Sequence, residues 1–172
     1  MTSSRESSTV PGATVSGVPI PAAVYGGGGL VPFVATAVAA WVVPTPWITA
    51  AIFIQLAYGA TILSFLGAAH WGLALAGQGR NGDSVAASTW TRLGLSVVPA
   101  LIAWASLIPA LVPRWLDAAI LVQMVTFAGV FLGDLRAVRD GLAPAWYPSL
   151  RKPLTVVVIL ALGASLLRML WG

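Results

Sequence analysis

The chain has 172 residues, of which 58% are hydrophobic and only 8% are charged. Soluble domains carry about 25% charged residues, and a fold with so few charges could not cover its surface in water. The nine basic and five acidic residues give a net charge of +4, which in a membrane chain reflects charge-biased loops and contact with anionic lipid. The composition therefore predicts a protein of the lipid bilayer and argues against binding of nucleic acid.

The first 26 residues are rich in Ser, Thr, Pro and Gly and have no apolar periodicity. The apolar run begins only after the four glycines at 26–29, whereas in a signal peptide basic residues directly precede a short apolar core. These glycines also lack the strand context of a nucleotide-binding loop. We therefore expect a flexible cytoplasmic tail over residues 1–26 and a membrane domain over residues 27–172.

Five segments are apolar enough to cross a bilayer, which takes a helix of about 20 residues. The prolines of "PTPW" end the first segment, and the second exceeds a ~30 Å hydrocarbon core, which predicts a tilt or a protruding end. Pro153 is placed for the first turn of the fifth segment. The sequence thus predicts an all-α polytopic bundle with five transmembrane helices, at about 28–43, 47–77, 89–112, 115–137 and 153–171.

The basic residues are divided unequally between the two sides of this bundle. Five spans place seven of them on the side of the N-terminus and two on the other side. Short loops rich in Lys and Arg stay in the cytoplasm, so we expect a cytoplasmic N-terminus (or a matrix one, in an organelle) and an external C-terminus. Five spans cannot divide into equal halves, which disfavours an inverted-repeat transporter.

Ionisable and aromatic side chains gather in the leaflet of the N-terminal side, where we assign a candidate polar cluster of His70, Arg92, Asp134, Tyr147 and Arg151. Ionisable groups inside a span face protein or a wet cavity. Pairs of Asp134 with Arg136 or Arg92, and of His70 with one of these, are expected. Basic side chains at span ends also snorkel to the interface. For Asp134 and Arg151, a structural ion pair and a functional site both remain open.

His70 is the only histidine in the chain, and three roles for it are open. As a haem or metal ligand it would need a dimer axis or another subunit, because the chain has no second histidine and no cysteine. As a proton relay or a quinone contact it is chemically suited, since imidazole exchanges protons near neutral pH. A hydrogen bond across helices is the interpretation that we favour, and we expect no cofactor and no metal.

The second span contains many small residues, and two of its faces could pack closely. Ala60, Ser64, Ala68 and Gly72 recur every four residues, which predicts a seam where another helix approaches closely. The adjoining face includes Gly59, Gly67 and His70, so the histidine borders this seam. The predicted helix-packing residues are Gly59, Ala60, Ser64, Gly67, Ala68 and Gly72.

Three stretches resemble a known family when they are taken together: "GGLVPF", "AYGATILSFLGAAHWGLAL" (57–75) and "LGDLRAVRDGLAPAWYPSLRKPLT" (132–155). Over residues 26–172 the chain resembles the transmembrane protein 69-like family of small polytopic membrane proteins of unknown function. The resemblance implies a five-span inner-membrane protein of bacteria or mitochondria. It also implies that position 70 is occupied variously by Arg, Leu or His, which argues against a family-wide catalytic role for His70. The residues that match the family framework better are Tyr58, Gly59, Ser64, Gly67, Trp71, Gly72, Asp134, Trp146, Arg151 and Thr155.

Three classes of function remain open at this point. Small size, few intramembrane charges and short loops favour a scaffold, accessory subunit or assembly factor, with other membrane subunits or a second copy as partners. The polar cluster would alternatively form the vestibule of an oligomeric carrier or channel. A quinone- or haem-associated redox protein comes third. The sequence has no HExxH motif, no phosphate loop and no Ser-His-Asp set, so an enzyme is not predicted.

Overall fold

The computed structural model describes residues 17–78 and 86–171, with the side chains at positions 74, 76–78, 86–92 and 95 outside that description. Within these ranges every regular element is helical, so the predicted all-α class is confirmed. A short 3₁₀ turn, Pro113–Trp115, precedes the fifth helix. The helices are α1 (Ile20–Gly28), α2 (Val31–Val42), α3 (Thr45–Gln78), α4 (Ala86–Ala110), α5 (Leu116–Arg139) and α6 (Tyr147–Trp171).

Four helical segments of the described chain are long and apolar enough to cross a membrane. A shorter apolar segment, Ser96–Ala110, lies in the part of α4 whose side chains are described. The fold is therefore a polytopic helical membrane bundle, but the predicted count of five spans is not confirmed. The four long segments are Ile20–Val42, Thr45–Leu73, Pro113–Arg139 and Tyr147–Trp171.

Two predicted boundaries differ from the structure, and proline explains both. Helix α1 begins at Ile20, inside the predicted tail, because Pro21 in its first turn has the backbone angle that a helix start requires. The part of the tail at 1–16 lies outside the described residues. Helix α6 begins at Tyr147, before the predicted start at 153, with Pro148 in its first turn. Pro153 consequently lies inside the helix and not at its start.

The helices surround one apolar core. Helix α2 packs against α3 and α6, α4 packs between α3 and α5, and α5 contacts both α3 and α6. Near the centre the ring of Phe33 meets Tyr58 edge-on at 5.1 Å and Phe127 at 5.7 Å between centroids. The outer surface is also apolar, with large exposed side chains such as Val125 and Leu160. Such a surface suits contact with lipid, as the composition predicted.

Candidate functional site

A carboxylate at one end of the bundle joins three helices. Asp134 of α5 is 1% exposed, and its two oxygens have different partners. Oδ1 lies 2.8 Å from Nε2 of His70 on α3, and Oδ2 accepts a hydrogen bond of 2.7 Å from Nε of Arg151 on α6. We call this group the carboxylate cluster, and the end of the bundle that contains it the polar end. Each oxygen of this buried carboxylate therefore has a partner, as a carboxylate in an apolar setting requires.

The turn between α5 and α6 brings two members of the carboxylate cluster together. Gly141 has a φ of +70°, a conformation that glycine adopts without strain. The amide of Gly141 donates to the carbonyl of Val138 at 3.0 Å, and the amide of Leu142 donates to Ala137 at 2.9 Å. This pair of hydrogen bonds is the Schellman motif of a helix C-terminus. The chain therefore reverses, and α6 returns along α5 with Arg151 opposite Asp134.

The two partners of Asp134 differ in exposure. Nε2 of His70 lies 2.8 Å from Oδ1, where an imidazole N–H donates to an ionised carboxylate. The His70 side chain is 23% exposed, whereas that of Arg151 is 9% exposed. The histidine therefore forms the more accessible edge of the cluster, and the arginine lies deep within it.

Tyr147 lies beside the cluster in the first turn of α6. Its hydroxyl lies near the Asp134 carboxylate and the Arg151 guanidinium. Positions 147 and 151 share a face of the helix because they are four residues apart. The structure thus brings four members of the predicted polar cluster to one place. The side chain of the fifth, Arg92, lies outside the described residues.

One predicted pairing is wrong. Arg136 is exposed and does not reach Asp134. Two residues along an α-helix are about 200° apart around its axis, so these side chains point to different faces of α5. Asp134 pairs instead with Arg151, which precedes the predicted fifth span at 153–171. The predicted start concealed this pairing, because only a helical start at Tyr147 directs Arg151 toward α5.

The small residues of α3 occupy two faces, and one of these faces packs against other helices. A Cβ at Gly67 would collide with the backbone oxygen of Ser96, so this glycine permits the close approach of α4. A Cβ at Gly59 would collide with Oε1 of Gln123 on α5. Ala60 is also buried, at 8% exposure. The face that packs is thus the one that carries Gly59, Gly67 and His70.

The rest of the predicted seam lies on the outside of the bundle. Ser64, Ala68 and Gly72 are exposed, and a Cβ at Gly72 would contact nothing within 4 Å. The Ser64 hydroxyl donates to its own helix, to the carbonyl of Ala60 at 2.9 Å. These three positions are exposed within the described chain, so the predicted close approach of another helix at them stays a prediction. We call these three residues the outer stripe.

Two buried glutamines contribute to the packing, and the sequence had singled out neither as a site. Nε2 of Gln123 donates to the carbonyl of Leu56 at 2.9 Å and to the hydroxyl of Ser106 at 3.2 Å. Nε2 of Gln55 donates to the carbonyl of Phe33 at 3.1 Å. A single amide in an otherwise apolar span was the signal that could have identified them, because such a group needs a partner from another helix.

A cavity of about 340 Å³ opens beside the carboxylate cluster. Phe33, Leu66, Phe127 and Val158 line its apolar body, and it lies between α1, α2, α3, α5 and α6. Tyr147, Arg151 and Thr155 of α6 supply its polar wall. Within the described chain no three His, Cys, Asp or Glu side chains are placed to hold a metal ion. The expectation that the protein has no metal and no cofactor stays a prediction.

These features define a class: a polytopic helical membrane protein with a closed ionic cluster and an adjacent apolar cavity. The chain belongs to the family described as "Protein of unknown function (DUF3429)", which matches residues 18–167. It is 39% identical over 150 residues to transmembrane protein 69 of Xenopus tropicalis, across 87% of this chain and 54% of the relative. The chain thus spans about half the length of that relative. The resemblance drawn from the sequence is confirmed. No solved structure matches the chain.

Proposed function

We propose that the protein is an accessory or scaffold component of a larger complex in the bacterial inner membrane, or in the mitochondrial inner membrane if the chain is eukaryotic. The observation that carries the proposal is the closed carboxylate cluster. The two oxygens of Asp134 contact His70 and Arg151. These contacts join α3, α5 and α6, and we infer that the cluster serves to hold the helices together and does not bind a reacting substrate. A charge satisfied in this way favours a fixed packing over chemistry.

The outer stripe supports a role in assembly. Ser64, Ala68 and Gly72 leave a shallow track on the outside of α3. In membranes, small residues spaced by four allow the backbone of another helix to approach closely. The partner that fits this surface is a transmembrane helix of another subunit. A lipid acyl chain would pack only slightly better against the outer stripe than against larger side chains, because lipid tails do not need small residues in order to pack. A helix therefore fits this surface better than lipid does.

Purification from native-level expression in a mild detergent tests the assembly role. We expect a defined set of proteins to co-purify and to be lost from Ala68→Leu, which fills the outer stripe. Ala105→Leu is the matched control, since Ala105 is an exposed alanine of α4 flanked by the large side chains Trp104 and Ile108. A chain that purifies alone, or partners retained equally by both variants, would contradict the proposal.

The proposal includes five spans, with the N-terminus in the cytoplasm and the C-terminus outside. In this arrangement α4 is the third of the five spans, and the helical turns before its apolar part Ser96–Ala110 complete it. A topology reporter fused after position 172 and a second one inserted within 79–85 decide the count. We expect an external signal from the first and a cytoplasmic signal from the second. If both reporters gave a signal from the same side, α4 would not cross the membrane and the number of spans would be four.

A further inference from the structure

Two residues that line the cavity beside the carboxylate cluster each have a buried polar atom without a partner. Nη2 of Arg151 and Oγ1 of Thr155 are buried and make no hydrogen bond within the described chain. Arg151 is 7% exposed and Thr155 is 5% exposed, and both line the cavity. They occupy one face of α6, four residues apart. Native proteins rarely leave two adjacent buried polar groups unsatisfied, so these atoms mark a position for a ligand.

The remainder of the cavity is apolar, and its rim reaches the outside of the bundle. Phe33, Leu66 and Phe127 form the inner wall. Tyr25 and Phe65 at the rim are 81% and 68% exposed. A ligand can therefore enter sideways from the bilayer, between α1 and α3. The volume of about 340 Å³ lies within the range of small-molecule sites.

The geometry points to a binding site for a neutral, carbonyl-bearing lipophile. Its carbonyl oxygen accepts hydrogen bonds from Nη2 of Arg151 and from the Thr155 hydroxyl, and its hydrocarbon body fills the apolar wall. The ligand is neutral because Asp134 already balances the charge of Arg151. An anionic head group would bring a second negative charge next to a buried carboxylate, which is costly in a low dielectric. A quinone ring and the acyl ester of a lipid share this chemistry.

Equilibrium binding to the purified full chain tests the inference. The protein is held in dodecyl maltoside micelles, because that detergent has no carbonyl group to compete. The probes are a radiolabelled decyl-substituted benzoquinone, dioctanoylglycerol as an acyl ester, and decanoate as an anionic comparison. We expect saturable binding of at least one neutral probe, and weaker binding of decanoate. Binding of the quinone alone identifies a quinone site, and binding of the ester alone identifies a lipid site.

Variants on α6 and α5 locate the binding. Thr155→Val keeps the side-chain shape and removes the hydroxyl, and should weaken binding about fivefold to tenfold, as the loss of one hydrogen bond does. Thr126→Val is its matched control, since the Thr126 hydroxyl bonds its own helix at 2.7 Å. Val158→Phe fills the cavity and should abolish binding. Val156→Phe is the control for it, because Val156 is 48% exposed on the same helix.

Melting temperatures without ligand separate a loss of binding from a loss of folding. Thr155→Val should melt at the same or a higher temperature than the unchanged protein, since it removes a buried hydroxyl that has no partner. A lower melting temperature would mean that the hydroxyl is satisfied within the protein, and would overturn the inference. So would tighter binding of decanoate, no saturable binding of either neutral probe, or equal binding by Thr155→Val, Val158→Phe and their controls.

Discussion

Helix α6 carries two arginines, and they satisfy their charges in opposite ways. Arg151 lies at the polar end with its side chain 9% exposed, and bonds Asp134 at 2.7 Å. Arg168 lies at the other end, ~25 Å farther along the helix. Its guanidinium carbon is 5.9 Å from the ring centre of Trp41, in a half-buried position near the helix end. We call that end the aromatic end, since Trp41 and Trp171 also meet edge-on there, with 6.2 Å between ring centroids.

The difference between the two arginines follows from the depth of their charges. A buried guanidinium needs a carboxylate with good geometry, and removing one member of such a pair is costly. A guanidinium at the interface keeps access to water and gains only modestly from an aromatic face. The polar end should therefore determine how α3, α5 and α6 fit together, whereas the aromatic end should tolerate change. The predictions below test this contrast, starting with the largest effect.

Asp134→Leu should have the largest effect, because it leaves Arg151 buried without a counter-charge and deprives His70 of its acceptor. We expect the free energy of unfolding to fall by about 3–5 kcal/mol. Denaturant unfolding in micelles, followed by tryptophan fluorescence, measures this loss. The double variant Asp134→Leu/Arg151→Met should recover stability, since an apolar pair can replace a buried ion pair. Additive losses in the double variant would contradict the pairing.

Arg151→Met should lower the free energy of unfolding by about 1.5–3 kcal/mol, which is the range for a hydrogen bond to a charged group. The loss is smaller than for Asp134→Leu because His70 still contacts the carboxylate. Arg168→Met is the matched variant on the same helix, and should cost less than about 1 kcal/mol. The same unfolding assay measures both variants. If Arg151→Met and Arg168→Met lowered the free energy of unfolding equally, the proposed difference between the polar end and the aromatic end would be wrong.

His70→Leu should cost about 1 kcal/mol, because Asp134 keeps its bond to Arg151 and the histidine is partly exposed. The same unfolding assay measures it. In combination with Arg151→Met the loss should exceed the sum of the single losses, since Asp134 would then have neither partner. An effect of His70→Leu as large as that of Asp134→Leu would make the histidine the principal partner of the carboxylate.

Trp41→Phe should have the smallest effect, about 0.5 kcal/mol. It removes the hydrogen bond of 3.2 Å from the indole nitrogen to the carbonyl of Ala164, and leaves an aromatic ring below Arg168. Trp41 is 45% exposed, so little packing is lost. Thermal melting in micelles measures the change. A loss comparable to that of Arg151→Met would show that the aromatic end is as specific as the polar end.

The sequence could predict the helical class and the general position of the polar end. Long apolar runs identify membrane helices because every backbone group must bond within its own segment. Counting antiparallel spans then places His70, Asp134, Tyr147 and Arg151 near the same end. The arginine that pairs with Asp134 could not be predicted, because it depends on the rotation of each helix about its axis and on where α6 begins.

Helix α3 illustrates the limit best. Small residues recur every four positions on two adjoining faces, so periodicity did not distinguish the inner face from the outer one. Groups on other helices determine which face of α3 is buried. The carbonyl of Ser96 lies opposite Gly67, and the amide of Gln123 lies opposite Gly59. The cavity was equally hidden from the sequence. Its walls come from five helices, and α1 lay within the predicted tail.

The glycine turn after α5 also has a consequence for how the protein enters the membrane. Asp134 and Arg151 are separated by 17 residues of sequence and joined through one tight reversal at Gly141. A charge inserted alone at the centre of a helix opposes membrane integration by about 2.5–3.5 kcal/mol. Paired inside a single hairpin, the two residues carry no net charge. The pair can therefore leave the translocation machinery without a net charge of its own, and His70, synthesised earlier on α3, completes the cluster when the helices assemble.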